Sequence, residues 1–598
     1  MLANKTMSGL RASQVRRLFS RPIIDVLFFS KYLLSKKIRS LLSSSNRRTT
    51  NESHRLVLHG SFIGEEEEME KVAELLLSSG IVRIFGTDIE IGWPPNWDGI
   101  NEPNFPRDKP SSKIKYYGKD VNYDIKTAWE IHRMQWLPSI AFKAKKTNDL
   151  ALANEIVDML TSYHENHRTD HSIAWMEGIE VSLRSISIIE TMKQIEGIGL
   201  ESEKIKFISS ILAINANWLN SNLSKKWRMN NNHLLLELIG LGIISRVLPG
   251  HPDSDKWKAV SEKSLEIEIT KQTLSGRNWE PTTAYHRFVT EAMLVLHEYR
   301  KSEIMNGGED KILSTTKVLY ETLQYLSDRH GSMSLIGDDD AGLVLPVHSL
   351  EMNPEDNGRV LRLGQELGFN GAAKIHQTKI WENHGTAMLR TGDSTCHLVS
   401  GAPKGIARQA SHRHLDMLSI SVRFRGRGII LDGGTGRYFG NEELRNSLRS
   451  EKSHSGIYSA DMKWATMSDL FEIPKPPIGR VEKLSPNSIA IEAYGKSGMS
   501  ARREVISTER GYKIKDRLSI KNPRIRFLVN ELGTQDSDGG IWIMRFDGWE
   551  IRQTPFPVDV CMEKREYSPG YGILEDCHAI EFGYSTGSSA QTEIIFLP

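Results

Sequence analysis

Two histidines set two residues apart, His412 and His414 in RQASHRHLD, project to the same side of a strand, because strand side chains repeat every second residue. Two imidazoles so placed can share a cation. Asp432 in LDGGTGRYFG and His454 in SEKSHSG extend the pair to a His, Asp, His set that, with an added water, suits zinc. Solvent-facing or hydrogen-bonded histidines are the plainer reading of the same residues. A second group is Asn230-Asn231-Asn232-His233, at the opening of the apolar run over residues 234–244. A single Asn there is accounted for as a helix cap, whereas three followed by His exceed what a cap requires. A third group lies in QTLSGRNWEPTTAYHRFVTE, residues 272–291, where Glu280, Tyr285 and His286 gather around a helix start. A tyrosine in that position commonly packs its ring and wets its hydroxyl. A tyrosine with a pKa near 10, or a neutral histidine, also moves protons when a cationic neighbour lowers the cost.

The elements that must position these groups follow from hydrophobic periodicity. From about residue 65 to 330 apolar residues recur at three and four, as in Phe288, Ala292 and Val295. Helices are predicted near 65–79, 125–145, 148–164, 178–196, 204–222, 233–247, 257–274, 281–303 and 309–328, separated by Gly, Pro, Asn or Asp. Many antiparallel helices imply a toroid of helical hairpins. After about residue 380 the period becomes two: Leu418, Ile420, Val422 and Phe424 alternate with Ser419, Ser421, Arg423 and Arg425, the pattern of a half-buried strand. Ile489 with Ile491, Ile541 with Ile543, and the terminal residues 594–596 continue it. The expected fold is therefore α+β and multidomain: an N-terminal α/α toroid over 51–345, a linker over 346–378, and an antiparallel β-sandwich over 379–598.

Bulk properties limit the function classes. With 598 residues, 39% hydrophobic and 25% charged, the chain is too long for one ordinary core. Lys and Arg number 77 against 75 Asp and Glu, so the net charge of +2 gives no global pull toward nucleic acid or an anionic membrane. No window of about 18 consecutive apolar residues exists, which argues against a transmembrane helix. Cys396, Cys561 and Cys577 are too few for a disulfide framework and are expected as free thiols, although Cys561 and Cys577 could pair in an oxidising compartment. Residues 1–50 read as a basic, weakly ordered extension able to touch a membrane surface; Arg16, Arg17 and Arg21 precede a short apolar run, residues 22–29, that Asp25 breaks, a poor signal-peptide core.

The ordered series of motifs resembles the heparinase II/III-like polysaccharide lyases over about residues 80–480. DIKTAWEIHR (124–133), WMEGIEVSLRSISII (175–189), NNNHLLLELIGL, the 272–291 block, LIGDDDAG (335–342) and SHRHLDMLSISVRFRGRGIILDGGTGRYF follow one another in family order. The resemblance implies a helical toroid abutting an antiparallel β-sandwich, with the substrate cleft between them. It implies β-elimination on an acidic, uronate-containing polysaccharide, with no organic cofactor and no nucleic-acid partner. By motif position Asn232 and His233 match the pair that binds the substrate carboxylate, Tyr285 the proton-transferring tyrosine, and His412 the catalytic histidine. His414, Asp432 and His454 match the ligands of one structural Zn2+ or other divalent cation in part of the family. Tyr438 matches the second tyrosine of alginate-type members. Asn231, Glu280, His286, Arg413 and Arg437 are taken with Tyr438 as substrate-binding neighbours. Family resemblance also implies a periplasmic or extracellular location, against an N-terminus that leaves the cytoplasm open. The sequence departs from the family pattern at Ser275, where an Asp commonly precedes Gly, and at Ser455, where an Asn commonly follows the last histidine.

The chemistry explains the residue types. The C-5 proton of an O-4-linked uronate is weakly acidic because the neighbouring carboxylate is already negative. Donors such as Asn232 and His233 can stabilise the enediolate-like state by a few kcal/mol per group. A base then takes the proton and an acid protonates the leaving O-4. Arg133, Arg184, Arg287, Arg413, Arg437, Arg445 and Arg449 are available to pair with sugar carboxylates or sulfates, and Trp93, Trp97, Trp129 and Trp175 to stack on sugar rings. Two other readings stand beside this one: a glycan-binding or polysaccharide-assembly protein without activity, and a toroid glycoside hydrolase using Glu177, Glu180 or the Asp338-Asp339-Asp340 run, which otherwise reads as a turn.

Overall fold

The computed structural model describes residues 56–58, 66–97, 107–116, 121, 123–224, 231–304, 310–345, 353–370, 377–403, 411–495 and 498–597. The basic extension expected over residues 1–50, and Asn230 of the Asn-His group, lie outside them. The chain divides into two compact units. The first comprises residues up to Val82, Glu90–Lys115 and Ala128–Leu265; the second comprises Arg83–Ile89, Tyr116–Thr127 and Glu266–Pro598.

The first unit is helical: α1 (Glu66–Ser79), most of α2 (Ile125–Arg133), α3 (Leu137–Thr147), α4 (Leu150–Asn166), α5 (Gly178–Ile195), α6 (Ser202–Asn222), α7 (Asn232–Val247) and the first part of α8 (Ser254–Gln272). The single helix expected over 125–145 is two, because Met134 takes a left-handed φ of 55° and Pro138 then opens α3. Helix α5 packs against α3 and α7 and is buried along its whole length. Helix α7 is buried at every residue except His233. Such all-round burial needs sequences without a polar face, which explains the run LLLELIGLGII. The two axes approach closely because a Cβ on Gly240 would lie 2.6 Å from Ser182 Oγ.

Two short hairpins come first in the chain, β1 (Ile81–Ile84) with β2 (Thr87–Glu90) and β3 (Thr273–Leu274) with β4 (Arg277–Asn278). The second unit carries α9 (Thr283–Ile304), α10 (Lys311–Leu326), α11 (Gly358–Glu366) and every larger sheet among the described residues. Helix α11 falls inside the segment expected as a plain linker. A five-stranded antiparallel sheet runs in chain order: β5 (Thr378–Trp381), β6 (Thr386–Thr391), β7 (Ser394–Val399), β8 (Ser419–Phe424) and β9 (Arg427–Ile430). An eight-stranded sheet has the order β11 (Ile478–Ser485), β12 (Ser488–Tyr494), β13 (Ser500–Thr508), β14 (Gly511–Ser519), β21 (Ser589–Phe596), β18 (Trp549–Thr554), β17 (Ile541–Phe546), β16 (Thr534–Asp538). A four-stranded sheet pairs β10 (Ile457–Ser459), β15 (Pro523–Val529), β20 (Ile573–Gly583) and β19 (Asp559–Gly570). One apolar core, including Leu398, Ile420, Val422, Ile491, Val505, Ile514, Ile551 and Ile594, joins the faces of the three sheets.

Strand β8 differs from the half-buried strand its alternation predicts. Its polar face is covered too: Ser421 Oγ donates to Ser334 Oγ, and Arg423 pairs with Asp328 and Glu355. The alternation thus marks an apolar core on one face and a buried polar layer on the other. The cysteines are free thiols. Cys561 stands opposite Glu581 and Cys577 opposite Arg565, four positions out of register, so β19 and β20 hold the two thiols apart.

Candidate active site

Tyr285 sits in the first turn of α9, whose start is fixed by Thr282: its Oγ1 accepts the Tyr285 N–H at 2.9 Å in the manner of a helix cap. Thr283 Oγ1 donates to Ser334 O and accepts from Ile336 N, tying the helix start to the segment that leads into the aspartate run. That segment reaches His412 because Gly337 has a φ of 70° and no side chain; a Cβ there would lie 2.9 Å from His412 O and 3.0 Å from Pro281 O. Asp338 N then donates to His412 O at 3.1 Å.

The result is a buried cluster. Tyr285 Oη and Tyr438 Oη lie 2.9 Å apart, and the Tyr285 and His412 rings lie 4.7 Å apart. His412 Nδ1 lies 3.0 Å from Asp338 Oδ2, and His412 Nε2 lies 3.9 Å from Glu280 Oε2. Asp338 itself, with no exposed side-chain surface, binds three cationic or imidazole partners. Besides His412 these are His414, whose Nε2 is 2.8 Å from Oδ1, and Arg445, whose Nη2 donates to Oδ2 at 2.6 Å. Sequence reasoning takes the aspartate run for a turn and misses this role of Asp338; a carboxylate directly after a glycine that only a close approach requires was the available signal.

Tyr438 is held from behind. Its N–H donates to Tyr571 Oη at 2.9 Å, Tyr571 Oη donates to Asp124 Oδ2 at 2.8 Å, and the Arg445 guanidinium lies 5.0 Å from the Tyr438 ring centre. Tyr571 and Asp124 are further residues to which the motifs give no role, and Arg445, expected to pair with sugar charges, pairs with Asp338 instead.

Electrostatics follow from this burial. Desolvation pushes the Tyr285 hydroxyl well above the usual tyrosine range, and the Asp340 and Glu280 charges push it the same way. Desolvation also raises Tyr438, with Asp338 adding to it. Both phenols therefore rest protonated and can donate. Burial penalises a charged His412, but the hydrogen bond to Asp338 and the charges of Glu280 and Asp338 outweigh it, so its pKa is raised. Burial alone would raise Asp338; Arg445, followed by the two histidine hydrogen bonds, holds it well below the carboxylate range.

The structure also brings the proposed cation ligands together. One ligand atom each from His414, Asp432 and His454 lie within 4.8 Å of one another. Because His414 Nε2 is engaged by Asp338, its Nδ1 is the nitrogen left, and it is buried with no partner; His454 Nε2 is likewise buried with no partner, while His454 Nδ1 lies 2.9 Å from Asp432 Oδ2. Buried imidazole nitrogens without partners beside a carboxylate fit a divalent cation held by two nitrogens and an oxygen. At the departure from the family pattern, Ser455 Oγ donates to Leu431 O and accepts from Leu528 N, so it braces the loop next to His454. Ser275 takes φ 53° ahead of Gly276 at φ 81°, the hairpin turn between β3 (Thr273–Leu274) and β4 (Arg277–Asn278).

Other expected substrate contacts are engaged elsewhere. His286 uses both ring nitrogens on main-chain groups, Asn278 N and Leu319 O. Arg413 is buried and donates to Gly401 O and His384 O. Arg287 donates to Pro354 O, and Arg449 to Asp469 O and Leu470 O. Arg437 is half-buried.

In the first unit, Arg133 pairs with Glu180 and Glu130, and Arg184 donates to Ala174 O. Trp97, Trp129 and Trp175 are core residues, and Trp93 Nε1 donates to Glu155. Asn231 occupies the N-cap position of α7 yet makes no capping bond, and its Oδ1 is buried without a partner, so capping does not account for it. Asn232 is buried, and His233 Nδ1 lies 4.0 Å from Glu177. One turn below, buried Glu237 accepts from Ser224 N at 2.7 Å and bonds Ser224 Oγ. Burial, opposed by those bonds, pushes its carboxyl up to about 8. A carboxyl raised in the folded state binds a proton that the unfolded chain has released, so its contribution is present below about pH 4.5 and is lost as pH rises through about 8. Thermal unfolding is therefore expected to show a fall in Tm between pH 5 and 9 that Glu237→Gln flattens; an unchanged slope would remove Glu237 as its cause.

Over an alignment 371 residues long that covers 57% of the chain, it is 23% identical to the heparin-sulfate lyase of Pedobacter heparinus, and the chain spans about half (54%) of that relative's length. The structure resembles that of heparinase III with a TM-score of 0.65 at 14% identity, covering 95% of this chain and 90% of the other. It resembles the heparan sulfate lyase HepC of Pedobacter heparinus with a TM-score of 0.55 at 17% identity, covering 96% and 88%. It also resembles the chondroitin AC lyase of Streptomyces coelicolor A3 with a TM-score of 0.50 at 10% identity, covering 94% and 82%. These likenesses establish the toroid-plus-β-sandwich fold class read from the periodicity. Residues 99–312 match the description "Heparinase II/III N-terminus" and residues 378–590 match "Heparinase II/III-like, C-terminal", so the chain belongs to the heparinase II/III-like family.

Proposed function

We propose that the chain is a polysaccharide lyase that cleaves a uronic-acid-containing acidic polysaccharide by β-elimination. The observation that carries this reading is the Tyr285, Tyr438, His412 cluster, with the two hydroxyls 2.9 Å apart and His412 oriented through Nδ1 by Asp338. With Nδ1 committed to that carboxylate, Nε2 is the nitrogen available to take the C-5 proton, and although burial opposes it, the Asp338 hydrogen bond and the Glu280 and Asp338 charges stabilise the imidazolium that this transfer forms. The C–H electron pair forms the C-4 to C-5 double bond, the C-4 to O-4 bond breaks, and O-4 takes the proton of Tyr285. Asn232 and His233 are assigned the substrate carboxylate, Tyr438 the support of Tyr285, and Arg437 the charge of a neighbouring sugar. Against the burial of His412, Glu280 adds its charge to the Asp338 hydrogen bond in raising the basicity of the imidazole.

The cation assigned to His414, Asp432 and His454, zinc by its donor set, supplies a fixed crosslink between the β-domain loops when bound. His414 and Asp338 carry that order to His412. Elemental analysis of purified protein is expected to find about one divalent ion per chain, lost in His454→Ala; a metal-free protein with full activity would end this assignment.

Hydrolysis by two carboxylates is disfavoured because most of the candidate acids are already paired: Glu180 with Arg133, Asp338 with Arg445 and two imidazoles, Asp339 with Arg287 and Asp340 with Lys126. The test is ultraviolet absorbance of the protein mixed with heparin-like, hyaluronan-like, chondroitin-like and alginate-like polysaccharides, since elimination creates a double bond conjugated to the carboxylate. A rise identifies the lyase and its substrate class; new reducing ends without absorbance overturn elimination.

A further inference from the structure

Buried guanidinium groups in the second unit mostly face a carboxylate or several main-chain carbonyls. Arg503 is bidentate with Asp516 at 2.8 and 2.9 Å, Arg445 pairs with Asp338, and Arg423 pairs with Asp328 and Glu355. Arg277, on β4, is equally buried, with no exposed surface, yet its one hydrogen bond is from Nη1 to the Thr386 hydroxyl at 2.8 Å. Its Nε and Nη2 are buried with no partner. Among the described residues no carboxylate acts on it: besides burial, which drops its pKa to about 9, the charge that bears on it is a second cation, Arg413.

The surroundings repeat the imbalance. The Trp381 ring centre is 5.7 Å from the Arg277 guanidinium carbon, and the His397 ring is 6.3 Å from the Trp381 ring. Trp381 Nε1, Asn278 Nδ2 and both nitrogens of His397 are buried without partners. The Asn278 amide is oriented so that its Oδ1 accepts from Glu280 N, which leaves the NH2 group as the unused end. Arg277 also depresses His286, His384 and His397, after the larger effect of their burial. Donors and positive charge are thus in surplus at one place inside the fold. Native interiors rarely leave such donors unmatched, and an uncompensated buried charge is costly.

We propose that this cluster is a binding site for one small monovalent anion, of the size and charge of chloride, held by Arg277 Nε and Nη2 with Trp381 Nε1. A water molecule accepts hydrogen bonds but leaves the guanidinium charge unbalanced. A halide supplies the charge and accepts from guanidinium and indole donors without directional demands. A single uncompensated guanidinium calls for a single negative charge, and complete burial of Arg277, Asn278, Trp381 and His397 calls for a small one. The bound anion would fasten β4 to the five-stranded sheet, where Asn278 O already accepts from His384 Nε2 at 2.7 Å. It would brace the main chain that carries Glu280, 3.9 Å from His412. The site does not depend on the lyase reading.

The test uses the full chain, dialysed exhaustively against sodium gluconate and then compared in gluconate, chloride and bromide at one ionic strength. Tm is expected to rise by about 2–4 °C or more in either halide. Crystals grown in bromide are expected to show an anomalous peak at hydrogen-bond distance from Arg277 Nε and Nη2. In Arg277→Met the halide dependence should vanish; should that variant not fold, Trp381→Phe should weaken the dependence while keeping the charge. Equal Tm in gluconate and halide, bromide only at other positions, or a halide effect that persists in the folded variant would each overturn the proposal.

Discussion

Tyr285→Phe is expected to lower kcat by about 10²–10⁴-fold, the range for losing a positioned proton donor, with KM and Tm close to wild type. The ring is buried and packs against His412, so Phe keeps the shape and the packing. What it removes is the hydroxyl whose proton the burial and the Asp340 and Glu280 charges retain. It also leaves Tyr438 Oη without its 2.9 Å partner, a modest net cost of about 1 kcal/mol. Tyr438→Phe is the control: it breaks the same hydroxyl pair but leaves Tyr285 able to donate, so its kcat should fall less. Measuring initial rates by ultraviolet absorbance on the same substrate separates the two. Equal losses in both variants would mean that the pair acts as one donor; wild-type turnover in Tyr285→Phe would remove Tyr285 from the chemistry altogether.

Much of this was legible before any coordinates, and the part that was not has a physical pattern. Period-three-and-four segments became helices because the apolar spacing decides which face can be buried, and the run LLLELIGLGII became a helix buried on all sides because it has no polar face. His412, His414, Asp432 and His454 were found because imidazoles and carboxylates at these spacings have few structural uses. The failures share a cause. Asp338 reads as a turn residue and Arg445 as a partner for sugar charges, since a local pattern does not reveal that a glycine 75 residues before His412 lets the chain pass within contact of it. Arg413 and His286 were overread for the converse reason: each stands next to or near a candidate catalytic residue in sequence, yet its polar atoms turn to main-chain carbonyls and amides. Strand β8 repeats the lesson, its serines and arginines facing a buried polar layer instead of water.

Asp338→Asn should show the second large effect, because this one carboxylate fixes two imidazoles at once. As an acceptor at both oxygens, it holds the proton of His412 on Nδ1 and the proton of His414 on Nε2. Those choices leave His412 Nε2 for the substrate and His414 Nδ1 for the cation. An amide presents a donor at one of the two positions, so at least one histidine must change tautomer or turn away, and Arg445 loses its buried counter-charge. Stability is expected to fall by about 3–5 kcal/mol, the usual cost of breaking a buried pair. Turnover of the remaining folded protein should fall by about 10²–10⁴-fold. Arg445→Lys separates the two consequences: it keeps a positive charge beside Asp338 and leaves both imidazole bonds in place, so Tm should drop while kcat per folded molecule changes little. If the lysine variant loses turnover as severely as the asparagine variant, Asp338 matters as a structural anion and not through the tautomer of His412. If the asparagine variant loses only stability, and His412 shows the same ring-nitrogen resonances by NMR as in wild type, the histidine is oriented by something other than Asp338.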